Sequence, residues 1–376
     1  MHKKIKLLHI QVLPKISGVQ KVSLEILKQL PNEKYDKWVL FGNEETPGDR
    51  EECERRFKEA GAKVIYLDTL KREICPTDLK GLRDIYRLCQ REKFDIVHTN
   101  STKPGIIGRI AATLAGVPFV IHTVHGFAFH QFVKFPKWQF YWACEMFASL
   151  FCDKIICVNK YYLKHLRWFK KKTTTLYNGL DFDKFMPFTP RQKLENQCKR
   201  VLFVGRLDPP KNPLMLLEAA KLVLRKYPDT TFTLVGDGEY YDDCLQYIKD
   251  NGLSENVTLA GWQNDVAKYY MSHDIFAAPS IYEAFGLMFV EASFYELPIV
   301  ATNVEGIPEA VIDNETGLLS NPKDAETFAQ NICRLIEDNS LAKQLGENGR
   351  KYVLSHFDAK QMAKSYEQEY LKGLSK

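Results

Sequence analysis

The segment Glu283-Ala-Phe-Gly-Leu-Met-Phe-Val-Glu291 puts a carboxylate at each end of a mostly apolar run. The preceding Ile275-Phe-Ala-Ala-Pro-Ser280 reads as a strand, Ser280 to Glu283 as a loop, and a helix is expected to start near Gly286. Glu283 then hangs ahead of the helix, and Glu291 lies roughly 7.5 Å along its axis at about 1.5 Å per residue. A helix N-terminus has free N–H groups and the positive end of the dipole, so it attracts an anion. A polyol on either side of that anion could be met by one of the two acids. Ribose, diphosphate and sugar follow that order in a nucleotide sugar. The alternative is a helix-start acid and a helix-surface acid. A glutamate set among Leu-Met-Phe-Val and Ala-Ser-Phe is costly if buried unpaired, which argues for a hydroxyl partner.

Other candidates also follow strands. In VLFVGRLDPPKNP, Arg206 and Lys211 come after a strand end, and Asn212-Pro213 reads as a helix start with Asn as cap. Two cations beside a helix N-terminus suit a phosphate-bearing ligand, although either alone could be an ordinary solvated charge. In LVGDGEY, Gly236 and Gly238 permit a tight turn at which backbone could approach a ligand, or a plain strand-to-helix turn.

These loops need a scaffold of strands and helices. Apolar runs suited to buried parallel strands recur: IKLLHI, KWVLFG, KVIYL, DIVHT, PFVIHTV and KIICV, then VLFVG, TFTLVG, NVTLAG, IFAAPS and PIVAT. Helical patterns such as VQKVSLEILKQL, TDLKGLRDIYRLCQ and NPLMLLEAAKLVLRKY lie between them. Steady alternation gives an α/β, doubly wound architecture whose ligands bind at the carboxyl ends of strands. The alternation breaks near residues 177–200 and restarts at VLFVGR. The expected organisation is a Rossmann-like domain over 1–187, a linker over 188–199 and a second Rossmann-like domain over 200–355, facing each other across a cleft. A terminal helix over 356–376, with Asp358 as its cap, completes the chain.

Composition is consistent with this. The 376 residues exceed one ordinary core, and 45% hydrophobic with 26% charged residues is that of a folded soluble protein. A net charge of +5 is too small by itself to argue for nucleic acid. The nine cysteines show no metal-ligand spacing and read as reduced core residues of a cytoplasmic protein. The first residues read as a strand rather than a signal peptide, and no run of about 20 apolar residues predicts a membrane span.

The ordered set VGRLDPPKNP, LVGDGE, PSIYEAFGLMFVEA, PIVATNVEGIPEAV and NETGLL resembles the retaining glycosyltransferases of family 4, which have the GT-B fold of two Rossmann-like domains. The resemblance covers essentially the whole chain and implies that the terminal helix over 356–376 crosses back to the first domain. It implies that Arg206 and Lys211 bind the donor diphosphate, that Glu291 holds the ribose hydroxyls and that Glu283 lies near the donor sugar. It implies phosphate capping by backbone amides around Phe285, Gly286 and Leu287, with the turn at Trp262 against the base. His125, in HTVHGF, falls where the family often has an active-site histidine. In the first loop Ser17 precedes Gly18, where the family more often has two glycines; Gly18 still allows close backbone approach. The implied activity is retaining transfer of a hexose or N-acetylhexosamine from a nucleotide sugar, UDP-linked by preference. The acceptor would be a glycan or lipid-linked glycan of cell-surface polysaccharide synthesis. No metal or other cofactor is implied: Arg206, Lys211 and the helix N-terminus would stabilise the leaving diphosphate, which would help deprotonate the acceptor.

Two segments stand outside this site. Residues 127–142, FAFHQFVKFPKWQFYW, are dense in aromatics with interspersed lysines, and residues 160–172, KYYLKHLRWFKKK, are basic and aromatic without an acid. They suit peripheral contact with an anionic membrane, or an ordinary helix with its aromatic face in the core. No nucleic-acid recognition motif accompanies them. The rival functions are an epimerase or phosphorylase on the same fold and a non-catalytic nucleotide-sugar binder. Hydride transfer fits poorly, because no GxGxxG with a later acid follows the first strand.

Overall fold

The computed structural model describes residues 3–43, 49–71, 76–185 and 199–375. Along the first half run β1 (Ile5–Ile10), α1 (Gly18–Gln29), β2 (Tyr35–Gly42), α2 (Asp49–Glu59), β3 (Ala62–Leu67), α3 (Asp78–Glu92), β4 (Ile96–Asn100), α4 (Thr102–Leu114), β5 (Phe119–Val124), α5 (Lys137–Ala148), β6 (Lys154–Cys157) and β7 (Thr173–Thr175). The second half runs β8 (Arg200–Val204), α6 (Pro213–Lys226), β9 (Thr231–Val235), α7 (Tyr241–Asp250), β10 (Val257–Gly261), α8 (Ala267–Ser272), β11 (Ile275–Ala278), α9 (Leu287–Phe294), β12 (Ile299–Thr302), α10 (Ile307–Ala310), β13 (Gly317–Ser320), α11 (Ala325–Glu337) and α12 (Asn339–His356). A last helix, α13 (Ala359–Leu374), ends the described chain.

Two compact units result, residues 1–179 with 359–376 and residues 180–358. The division falls before Leu180, so Leu180–Phe185 belong to the second unit rather than to a first domain ending at 187. Leu180 shows why: its N–H donates to Phe357 O at 2.8 Å and it bridges to Asp358. The linker expected over 188–199 lies outside the described residues, apart from its last residue.

Both sheets are parallel throughout and wound in the same sense. The first has the order β3-β2-β1-β4-β5-β6-β7 and the second β10-β9-β8-β11-β12-β13. The eleven strands expected from apolar runs are all present. The two additional strands, Thr173–Thr175 and Gly317–Ser320, are outermost in their sheets and only 3 and 4 residues long. Position alone does not hide a strand, since β3 and β10 are outermost as well and are legible at 6 and 5 residues. Thr173–Thr175 has no apolar residue and Gly317–Ser320 has only two, so neither leaves an apolar run to read.

In each sheet the winding reverses beside the first strand, between β1 and β4 and between β8 and β11. Side-by-side strands whose crossovers leave in opposite directions open a crevice at their carboxyl ends. The residues that follow β8 and β11 are therefore neighbours although about 70 positions separate them in sequence. Asn212 occupies the cap position of α6 as expected, yet its side chain makes no cap bond. Its Nδ2 lies 3.4 Å from Met215 Sδ, and its own backbone is left-handed at φ 53°.

The first unit closes over its core with the end of the chain. Met362, Tyr366 and Tyr370 of α13 share one apolar cluster with Leu7, Ile96, Phe119 and Ile121. A Cβ on Gly373 would come within 2.4 Å of the Phe119 ring, so α13 lies against β5 at glycine distance.

Candidate functional site

The loop after β8 is built around Asp208. Its carbonyl accepts the N–H groups of Lys211 and Asn212, both at 3.0 Å, and its carboxylate pairs with Arg206 at 2.7 Å. The loop after β11 docks on the same turn: Ile281 N and Tyr282 N donate to Pro210 O at 2.8 and 3.3 Å. The loop after β12 fixes the other side, with Gly306 N donating to Glu283 O at 3.1 Å. These backbone bonds bring Lys211 to Glu283 as a salt bridge, both side chains largely withdrawn from solvent. Met288 Sδ also lies 3.3 Å from Lys211 Nζ. Arg206 stays two-thirds exposed beside Asp208.

The start of α9 faces this group. Gly286, with φ +80°, turns the chain into the helix, and a Cβ there would sit 2.5 Å from the Phe289 ring. The first amides of the helix, those of Leu287 and Met288, precede the first carbonyl-bonded turn and are the donors the end offers to an anion. Phe285 contributes only backbone here, because its ring is buried edge-on against Phe357 at 5.0 Å. Glu291 is 7% exposed, and its Oε2 accepts the hydroxyl of fully buried Tyr270 at 2.9 Å. The hydroxyl partner demanded by burial is thus supplied by the protein. Burial, then the Glu291 charge, pushes the Tyr270 phenol well above its usual range, so it stays a donor.

Two further expected positions line the same sheet edge. Gly236 has φ +144°, and a Cβ on it would lie 1.8 Å from Gly205 O. The absent side chain therefore lets the turns after β8 and β9 interlock, with Gly205 N donating to Val235 O at 2.9 Å and Leu207 N to Asp237 O at 3.0 Å. Trp262, past the end of β10, is 63% exposed, its indole N–H directed to Asn264 Oδ1 at 3.3 Å.

His125 and Gly18 belong to the first unit. His125 follows β5 and its Nε2 lies 3.2 Å from Asn100 Oδ1 at the end of β4. An amide oxygen only accepts, so Nε2 carries the proton and Nδ1 is left as an acceptor. Burial lowers this imidazole to about 4, which keeps it neutral near pH 7. The Asn100 amide nitrogen is buried and, among the described residues, has no partner. Gly18 opens α1, with open space where a Cβ would stand. Asp208, Tyr270 and Asn100 escaped the sequence reading. Asp208 lay within the quoted loop, but nothing marks Tyr270 or Asn100 before the chain folds. Among the described residues no group of three His, Cys, Asp or Glu side chains is placed to hold a metal ion.

The described residues thus form two Rossmann-like units, the second with Lys211, Glu283 and the start of α9 brought together at its strand ends. Residues 16–184 match the family Glycosyltransferase Family 4, and residues 187–352 match Glycosyl transferases group 1. An Escherichia coli protein named UDP-Gal:alpha-D-GlcNAc-diphosphoundecaprenol alpha-1,3-galactosyltransferase is 36% identical over 377 residues, 95% of this chain and 94% of that protein. The Staphylococcus aureus capsular polysaccharide biosynthesis glycosyltransferase CapM is 28% identical, over 84% of this chain and 87% of that protein. Among solved structures, Anabaena Alr3699/HepE in complex with UDP and glucose superposes with a TM-score of 0.80 at 20% identity, covering 98% of this chain and 100% of that one. The chain belongs to the family 4 glycosyltransferases of the GT-B fold.

Proposed function

We propose that this glycosyltransferase moves a hexose from a UDP-sugar to an N-acetylhexosamine carried on a lipid diphosphate, with retention of configuration, in the synthesis of a cell-surface polysaccharide. The observation that carries the reading is the meeting of Lys211, Glu283 and the α9 N-terminus at the carboxyl ends of β8 and β11, in a chain 36% identical to a UDP-Gal-dependent enzyme along nearly its whole length. Arg206 and Lys211 take the diphosphate, the first amides of α9 cap it, and Glu291 receives the ribose hydroxyls. Glu283, paired with Lys211 until the donor arrives, then faces the hydroxyls of the sugar. Trp262, exposed past β10, offers its face to the base. His125, neutral and with Nδ1 free to accept, accepts a hydrogen bond from a substrate hydroxyl without taking its proton.

In the reaction the bond from the sugar C1 to the diphosphate oxygen breaks, and the acceptor oxygen bonds to C1 on the same face. The acceptor proton passes to the leaving diphosphate. Arg206, Lys211 and the helix end stabilise the charge that grows there, so no metal is required. A lipid-carried acceptor keeps the enzyme at the cytoplasmic face of a membrane.

The test is UDP release by the purified chain with UDP-galactose, UDP-glucose or UDP-N-acetylhexosamine and a short-chain lipid diphosphate of N-acetylglucosamine. Release that needs the acceptor, survives chelator and gives an α-linked product from an α-linked donor is expected. Lys211→Ala should remove most turnover, and Glu291→Ala should weaken donor binding. Acceptor-independent UDP release, wild-type rates in both variants, or inhibition by chelator would each overturn part of the reading. Donor binding without transfer to any acceptor would favour a non-catalytic binder.

A further inference from the structure

Helix α5 packs by one face and carries exposed apolar side chains on the other. Inward lie Met146 and Ala148, both buried. Outward lie Phe140, Ala143 and Phe147, which fall within about 60° of one another at about 100° per residue. Phe140 and Phe147 are 54% and 55% exposed. Leu150, just past the helix, and Phe135, just before it, are more exposed still. An apolar stripe on a helix ordinarily packs against another surface, yet the outward stripe of α5 faces solvent. Its one acid, Glu145, points inward and is paired with fully buried Arg109 at 2.8 Å, so the outward face carries no negative charge.

The second basic segment forms the 3-10 stretch Tyr161–Lys172, not one straight helix: Leu166 and Phe169 have non-helical backbone angles. Trp142, on the flank of α5, meets the Trp168 ring edge-on at 5.6 Å, which joins this stretch to the helix. Trp168 is 61% exposed. Lys164 Nζ lies 3.3 Å from the centre of the Tyr161 ring, and the Arg167 guanidinium lies 5.3 Å from that of Trp168. Lys170 and Lys171 are exposed at the end of the stretch, as are Lys134 ahead of α5 and Lys137 at its first position. No acid occurs in residues 160–172.

We propose that the outward face of α5 and the stretch beside it form a docking surface for an anionic lipid bilayer. The helix lies in the membrane plane, its exposed phenylalanines and Trp168 enter the boundary between headgroups and acyl chains, and the lysines and arginine rest on lipid phosphates. Charge selects this occupant. An apolar patch edged by cations complements a surface that is anionic outside and apolar beneath, whereas a second copy of the chain would set cation against cation. The attachment is peripheral, because no helix among the described residues is long and apolar enough to cross a membrane. The surface gives the lipid-carried acceptor of the proposed function a place of delivery, and it stands on its own residues, none of them in the donor group.

The full chain should be sedimented with vesicles of phosphatidylcholine alone and with vesicles about one-third phosphatidylglycerol, at low and high salt. Wild type should pellet with the anionic vesicles only, less at high salt, since exposed charges are screened beyond about 8 Å at physiological ionic strength. Phe140→Ser with Phe147→Ser should weaken binding about tenfold or more, because buried apolar area sets the strength of interfacial attachment. Lys164→Glu with Arg167→Glu should erase the preference for anionic vesicles. Unchanged thermal midpoints and an unchanged UDP-induced shift certify that the variants are folded. Equal pelleting with both vesicle types, no pelleting with either, or full binding by the phenylalanine variant overturns the proposal. So does lipid-free dimerisation that the phenylalanine variant abolishes. Transfer to the short-chain acceptor in solution reads the donor site separately, so loss of one result does not imply loss of the other.

Discussion

At the scale of single residues, burial decides what each acid is for. Glu291 is inside the protein and needs a donor; Tyr270 provides it at 2.9 Å. Tyr270→Phe removes that bond and nothing else of size. Hydrogen bonds to a charged group contribute about 1.5–3 kcal/mol, and part of this would appear as a looser Glu291. The expected outcome is a KM for the UDP-sugar raised about five- to tenfold, equivalent to about 1–1.4 kcal/mol, with kcat changed less. Steady-state kinetics check it; an unchanged KM would remove Glu291 from donor binding. Asp208 acts on two neighbours at once, holding the Lys211 amide by its carbonyl and Arg206 by its carboxylate. Asp208→Asn keeps the backbone bonds and loses the ion pair, so a modest loss of donor affinity with intact stability is expected in a UDP thermal-shift titration.

At the scale of elements, the charge inside the first unit is tied to helix packing. Arg109 of α4 and Glu145 of α5 are almost fully buried and paired at 2.8 Å, with Arg109 Nε also donating to Gly105 O at 2.8 Å. His122 of β5 lies 4.0 Å from the same carboxylate. Breaking such a pair from one side leaves an uncompensated buried charge. Glu145→Ala should therefore cost about 3–5 kcal/mol, read as a lower urea midpoint at unchanged slope. A loss under about 1 kcal/mol would mean that Arg109 finds water or another partner. The pair also anchors the helix whose other face is proposed to meet lipid, so α5 is held by charge on one side and left apolar on the other.

At the scale of the whole molecule, the last helix completes the first unit. Tyr370 places its hydroxyl between His9 Nε2 at 3.1 Å and His98 Nδ1 at 2.6 Å, and Tyr366 reaches Thr123 at 3.3 Å. Tyr370→Phe leaves two buried ring nitrogens short of a partner, an expected cost of about 1–3 kcal/mol, measurable by chemical unfolding. The same network makes stability fall in acid. Burial lowers the His9 imidazole from 6.5 to about 3, and His98 moves in the same direction, chiefly by burial and then by its histidine neighbours. As pH falls the unfolded chain therefore takes up these protons first. The contribution of His9 is whole above about pH 6.5 and drains away toward pH 3, at roughly 1.4 kcal/mol per pH unit. Calorimetry should show the thermal midpoint dropping between pH 7.5 and 5.5, before most carboxylates titrate. A flat midpoint across that window would mean that the histidines are hydrated.

By itself the sequence determined the local things. Apolar runs marked eleven strands, most of them buried, because a parallel strand covered on both faces has nowhere to put polar side chains. Glycine at 286 marked the turn into α9, and the break near 177–200 marked that a second unit follows, although the first unit ends at 179 and not at the expected 187. Thr173–Thr175 and Gly317–Ser320 left no such mark, being only 3 and 4 residues long with few or no apolar side chains. Only the tertiary structure decided who meets whom. Lys211 and Glu283 pair because β8 and β11 lie side by side where the winding reverses, and backbone bonds from Pro210 and Gly306 hold the loops there. Tyr270 meets Glu291, and Tyr370 meets His9 from 361 positions away, for the same kind of reason. Periodicity is a property of neighbours along the chain, whereas a hydrogen bond between distant residues exists only once the sheet order has been fixed.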